Sequence, residues 1–500
     1  MDEPCYTCRR RRIQCDRSQL PCLKCQKAGL TCLDKRPVRW VQGVAIRGGM
    51  RGRLHQDDSV SSKPVGETLT RSTIPAELPH PPCPPSYMAV VPTEAKLTSV
   101  PLSMEDPAVS NLDATSRYYL NYYNDRICEL FIVYDSQNNP FRSLISLALS
   151  DTVLLKAVLA LAARHRTNFE QPFSTNGTVA YPISVNTEKD ALHFKYHAIQ
   201  GLSHSLNGGN SYQDATVASV FLLVFLDLIE SGCDRWNYHL EGAKSLMALT
   251  PSHNPGHTLQ RIRKFIVKQI HLIEALGATF VRPQLLSKSM SIEESPNLLQ
   301  DVVEESFLGC PEYILTSLQY LSLQRDVMIS GKVSDHTSIQ DIISVFDGVE
   351  EFDCYSWAST LCQQSVTRDI NDLCKLARTY QIGAILYGRR ILDALLKEET
   401  TQELLVSELI GIINSLQHGS NLLKCTLWPI TVAGLECHLQ SQRDTLMHAL
   451  EQFWMDTRCL NVTNAAKILQ THWQKIDDQQ AVANDWIFDI GRMSHDWLLI

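Results

Sequence analysis

Six cysteines fall within the first 32 residues, Cys5, Cys8, Cys15, Cys22, Cys25 and Cys32, with the spacing C-x2-C-x6-C-x6-C-x2-C-x6-C. Each half is one phrase, a C-x-x-C pair followed by a third cysteine seven positions on. A segment this short and polar has almost no apolar core, so its folding free energy has to come from elsewhere. Thiolates are soft ligands suited to zinc, and a structural zinc takes four ligands in a tetrahedron. Two zinc ions need eight ligand positions, which six sulfurs supply only if two of them bridge both metals. The symmetry of the repeat makes Cys5 and Cys22, which lead the two halves, the natural bridges.

The residues between the cysteines are basic. Arg9-Arg10-Arg11-Arg12-Ile13-Gln14 separates Cys8 from Cys15, Lys27 and Gly29 lie between Cys25 and Cys32, and Pro21 directly precedes Cys22. Residues 1–40 thereby resemble the fungal binuclear zinc cluster transcription factors, in which six cysteines hold two Zn2+ and a short helix reads double-stranded DNA. Modules of this kind place that helix in the major groove, and arginine is well matched to guanine because its planar fork meets O6 and N7 together. The resemblance implies CGG-like triplets as targets. It puts Arg11 and Arg12, the third and fourth residues after the second cysteine, against bases, and Arg9 against phosphate. Gln14 stands where the family often has lysine, so one phosphate charge is missing there, and Arg17 is a candidate to replace it. The bland alternative for the arginine run is a nuclear import signal or a solvated basic face.

Charge divides the chain. Residues 1–54 hold thirteen Lys and Arg against four carboxylates, a balance of +9. The whole chain carries −8, so residues 55–500 carry −17. A basic head on an acidic body confines nucleic-acid affinity to the head. No apolar h-region follows Arg9–Arg12, and the longest strongly apolar stretch, Ala215 to Leu226, is 12 residues, too short for a bilayer. These features predict a soluble, intracellular and, by the resemblance, nuclear protein. The ten remaining cysteines show no paired spacing and read as small buried apolar residues of a reducing compartment.

Residues 41–111 read as a basic arm and a proline-rich disordered linker. Arg47, Arg51 and Arg53 among glycines suit either an arm lying along phosphates or a linker that happens to be basic. The Trp40-x-x-Gly43-Val44-Ala45-x-Arg47-Gly48 phrase looks like the segment that follows the cluster in one branch of the same family. No run of a/d leucines fills the interval from Leu33 to Pro107, so the coiled coil that sets dimer geometry in many such regulators is missing. Binding as a monomer and homodimerisation through the body both stay open.

From Leu112 helical periodicity dominates. Leu144 to Arg166 reads as two helices with Asp151 capping the second, and further helices are expected over 191–206, 214–230, 236–249, 258–277, 313–330, 338–348, 368–396, 401–424, 440–456 and 462–474. Residues 112–500 are therefore expected to form one all-α domain. Several phrases resemble the fungal-specific regulatory domain found behind such clusters: Asn139-Pro140-Phe141-Arg142, Trp236 through Lys244, Trp428-Pro429 with Gly434 and Arg443, Trp473, and Asp485-Trp486. That resemblance implies an activator by family base rate, with a body that contacts transcription machinery or a small-molecule effector.

Catalysis has no visible residues. The first C-x-x-C has no thioredoxin-like surroundings, His193 and His197 lack the Glu of H-E-x-x-H, and no phosphate loop, nucleophile elbow or dinucleotide turn occurs. Two carboxy-terminal stretches, Asp485–Asp489 and Asp496–Leu499, mix acidic and bulky apolar groups. They read either as packed terminal segments or as an activation segment.

Overall fold

A computed structural model of the protein describes residues 4–11, 13–16, 21–30 and 32, and then 107–173, 185–207, 214–249, 257–282, 285–286, 307–330, 339–362, 369–417, 421–478, 486–489 and 495–500. Arg12, Arg17, the basic arm and the proline-rich segment lie outside them. The chain divides into two units, one within 1–99 and one within 100–500.

The first unit contains two one-turn helices, α1 (Tyr6–Arg10) and α2 (Leu23–Lys27). Its buried residues are Cys5, Cys8, Cys15, Cys22 and Cys25, with Cys32 packed against them, while Ile13, Leu23 and Leu30 are exposed. Sulfur is the core of this unit.

The described residues of the second unit are mostly helical. Among its described residues no strand occurs, only an isolated antiparallel bridge between Cys233 and Trp497. Helices Thr152–Asn168, Val185–Asn207, Asp214–Glu230 and Arg235–Leu249 pack on one another. Around Ile370–Leu396 gather Glu312–Ser330, Ile339–Glu350, Cys354–Cys362, Glu403–Gln417 and Leu427–Glu436. Leu460–Asp477 joins the two groups by packing on both Leu427–Glu436 and Asp214–Glu230, under one contiguous apolar core.

Local chemistry sets the boundaries. Asp151 caps its helix by accepting from the amides of Val153 and Leu154, because a short side-chain oxygen satisfies amides that have no partner in the first turn. The apolar stretch beginning at Ala215 is a helix buried on nearly every face, from Val217 to Ile229, which is why it lacks an amphipathic stripe. No described helix is long and apolar enough to cross a membrane. Helix Ala114–Tyr122 runs on into a π-helical turn, Tyr123–Ile127, which buries Tyr123 and Ile127 in the core.

The phrases that resembled the regulatory domain are packing nodes. Asn139 accepts from the Phe141 amide at 2.9 Å and donates to the Cys128 carbonyl at 2.8 Å, and Phe141 meets Phe131, Phe221, Phe225 and Phe265. Trp428 donates to Thr279 Oγ1 and Trp473 to the Gly434 carbonyl. Trp486 donates to Glu436, whose carboxylate holds the buried Arg390 guanidinium. The carboxy-terminal stretches are packed rather than free: Trp486, Ile487, Leu498 and Leu499 are buried, and Asp496 pairs with Arg282. The buried body thiols of Cys354, Cys425, Cys437 and Cys459 are pushed up to about 11–12 by desolvation, as expected of apolar core residues.

Candidate metal centre and nucleic-acid interface

Each half of the first unit builds the same device. Cys5 is the N-cap of α1, its sulfur accepting from the Cys8 amide at 3.4 Å, and Cys22 is the N-cap of α2, accepting from the Cys25 amide at 3.5 Å. Both helices close alike. The Ile13 amide returns to the Cys8 carbonyl, and the Leu30 amide to the Cys25 carbonyl. In the second half the turn passes through Gly29 at φ 63°, a left-handed position that glycine takes without steric cost. The halves are tied together by Asp16, whose carboxylate accepts from the Leu23 amide at 2.9 Å, and by the Cys22 amide, which donates to the Cys32 sulfur at 3.4 Å.

The sulfurs of Cys5, Cys8, Cys22 and Cys25 all lie within 4.8 Å of one another. Their closest separations are 3.7 Å for Cys5–Cys22, 3.8 Å for Cys5–Cys25, 3.6 Å for Cys8–Cys22 and 3.8 Å for Cys8–Cys25. Zinc–sulfur bonds of about 2.3 Å in a tetrahedron put neighbouring sulfurs about 3.8 Å apart, so the crowding fits thiolates gathered round a metal. The third cysteines extend the set. Cys15 reaches Cys8 and Cys22, whereas Cys32 reaches Cys5, Cys22 and Cys25. Cys5 and Cys22, which lead the two repeats, both meet Cys32, and Cys22 also meets Cys15.

Electrostatics separates those two from the rest. The Cys25 amide holds the Cys22 thiol below its usual range against the opposing effect of burial. Burial raises Cys5, but the Cys8 amide and neighbouring thiols outweigh it and leave Cys5 lowered. Cys8 and Cys25, desolvated and facing sulfurs already inclined to ionise, are raised. The two lowered thiols are the N-caps of the two short helices.

Arg9, Arg10, Arg11 and Gln14 are exposed around the end of α1, with the Arg9 guanidinium 5.9 Å from the Tyr6 ring centroid. With Cys8 turned inward and three consecutive guanidiniums outward, the unit joins a sulfur cluster to a cationic edge. Of the other residues expected to meet DNA, Arg12 and Arg17 fall outside the described set. His193 and His197 pack their rings together, 4.4 Å apart, and among the described residues they belong to no group of three ligating side chains. The sequence reading overlooked Asp16, and its position right after Cys15 was the available signal.

A zinc-held head on a helical body defines a class, the DNA-binding transcription factors of fungi. The chain belongs to that family: residues 118–500 match the Fungal specific transcription factor domain and residues 3–40 the Fungal Zn(2)-Cys(6) binuclear cluster domain, which binds two zinc ions. It is a family of transcription factors, not of enzymes. A curated relative, the acriflavine sensitivity control protein acr-2 of Neurospora crassa, is 23% identical over 579 aligned residues covering 98% of this chain and 95% of its own length. No solved structure matches.

Proposed function

We propose that the chain is a nuclear activator of genes transcribed by RNA polymerase II and reads CGG-like triplets through the arginines that follow Cys8. Residues 1–40 form the DNA-binding domain, 41–111 the arm and linker, and 112–500 the regulatory domain. All six head cysteines hold the two zinc ions, Cys5 and Cys22 belonging to both. Arg11 and Arg12 meet base edges and Arg9 a phosphate, while Gln14 and Arg17 flank the backbone. The zinc ions supply cross-links that a core of sulfur alone cannot replace. The acidic body repels DNA and offers its surface to transcription machinery or a small-molecule effector, acting as a monomer or as a homodimer joined through the body.

The observation that carries this reading is the cluster of cysteine sulfurs beside a row of exposed arginines. Selecting bound sites from random oligonucleotides with the full chain tests it. The expected outcome is enrichment of CGG-like triplets, and the number of triplets per site separates monomer from dimer. Replacing Arg12 by Ala should cost about 1–3 kcal/mol on the selected site and relax base choice at one position. Equal losses on selected and random DNA would remove Arg12 from the base-reading role. The relative's name makes sensitivity to acriflavine the first phenotype to score in a deletion strain.

A further inference from the structure

The corner between helices Asp214–Glu230 and Arg235–Leu249 is a tight turn with two left-handed residues. Gly232 and Asp234 both take left-handed conformations, φ 63° and 56°, and Asp234 does so despite its side chain. A Cβ at Gly232 would lie 2.7 Å from Asn461 Cβ and 2.8 Å from the Leu498 carbonyl oxygen, so the backbone there is pressed against the carboxy-terminal segment. That segment runs alongside the corner. The Leu498 amide donates to the Gly232 carbonyl at 2.7 Å, the Asp234 amide to the Asp496 carbonyl at 2.9 Å, and the Asp496 amide to Asp234 Oδ1 at 2.8 Å.

One oxygen of Asp234 is thereby used for holding backbone, and the other is turned to two further groups. Asp234 Oδ2 lies 3.2 Å from Cys233 Sγ and 2.6 Å from His495 Nδ1. Sulfur, oxygen and ring nitrogen all sit within 4.8 Å of one another. Tetrahedral zinc with bonds of about 2.0–2.3 Å would set such atoms about 3.3–3.5 Å apart, so a small opening of the His–Asp contact would admit the ion. His495 is half exposed, which leaves the fourth side to water.

We propose that Cys233, Asp234 and His495 form a second, separate zinc site that fastens the carboxy-terminal segment to this corner. A mixed set of one sulfur, one imidazole and one carboxylate suits zinc, and three protein ligands with a water are the ordinary complement of an open site. Cys233 and His495 are 262 positions apart in sequence, so the ion would close a long loop. The nearby Asp496 is taken up by Arg282 and is not a ligand.

Metal content of the full chain, equilibrated with zinc and then desalted, tests the site. Three zinc ions per chain are expected in the wild type and two in each of Cys233→Ala and His495→Ala, with selective DNA binding kept in all three. Cys22→Ala, which alters only the head, should retain the ion at the corner, so failure of the head reading would show separately. Two ions in the wild type, or three in both variants, would overturn the site and leave a hydrogen-bonded clasp. His495 is exposed enough that its variant decides the matter even if Cys233→Ala fails to fold.

Discussion

The two units of this protein solve the problem of a core in opposite ways. Among the described residues of the head the buried groups are cysteines, and Ile13, Leu23 and Leu30 face solvent. In the body four tryptophans are fully buried, Trp236, Trp428, Trp454 and Trp486, together with aliphatic side chains from nearly every helix. Stability in the body is therefore distributed over many contacts, each of modest worth. Stability in the head is concentrated in a few metal bonds, so metal supply and thiol chemistry decide whether it folds at all.

The largest expected effect separates the units outright. Replacing Cys22 by Ala removes the sulfur that meets Cys5, Cys8 and Cys15, so selective DNA binding should vanish while the thermal transition of the body is unchanged. A body that melted earlier in this variant would break the distinction. Next in size, Arg390→Ala strands Glu436 as a buried charge and should cost the body about 3–5 kcal/mol in denaturant melts, leaving two zinc ions in the head. Gly383→Ala should cost about 1–3 kcal/mol, since its Cβ would fall 2.6 Å from Trp428 Cζ3. Trp428 cannot yield easily, because it stacks on Tyr380 and donates to Thr279. The smallest is Asp151→Ala, about 1 kcal/mol from two uncapped amides, again read in the body alone.

The same contrast governs how much was legible in the sequence. The cysteine spacing made the head's sulfur cluster legible directly, because ligands have to recur at fixed intervals whatever the packing. Amphipathic helices were also readable: the expected 258–277, 313–330 and 440–456 appear as His257–Gly277, Glu312–Ser330 and Gln440–Thr457. The expected 401–424 is instead Glu403–Gln417 followed by a 3-10 turn, Asn421–Cys425. Leu427–Glu436 was not visible, for it is buried on every face and has no polar stripe; its Pro429 sits in the first turn, where proline is tolerated. Cys354–Cys362 escaped because nine residues are too few to establish a period. The corner at Cys233 was opaque for another reason, since Cys233 and His495 meet only once the chain has folded.

The π-helical turn at Tyr123–Ile127 has a consequence for how this chain tolerates changes of length. An α-helix advances about 100° per residue, so losing one residue ordinarily swings everything beyond it to a different face. A π turn already holds one residue more than the regular ladder requires. Shortening the chain by one at Asn124 would let the ladder revert to its common form with Leu120 and Ile127 still facing inward, whereas the same deletion inside Thr152–Asn168 would turn its core face toward water.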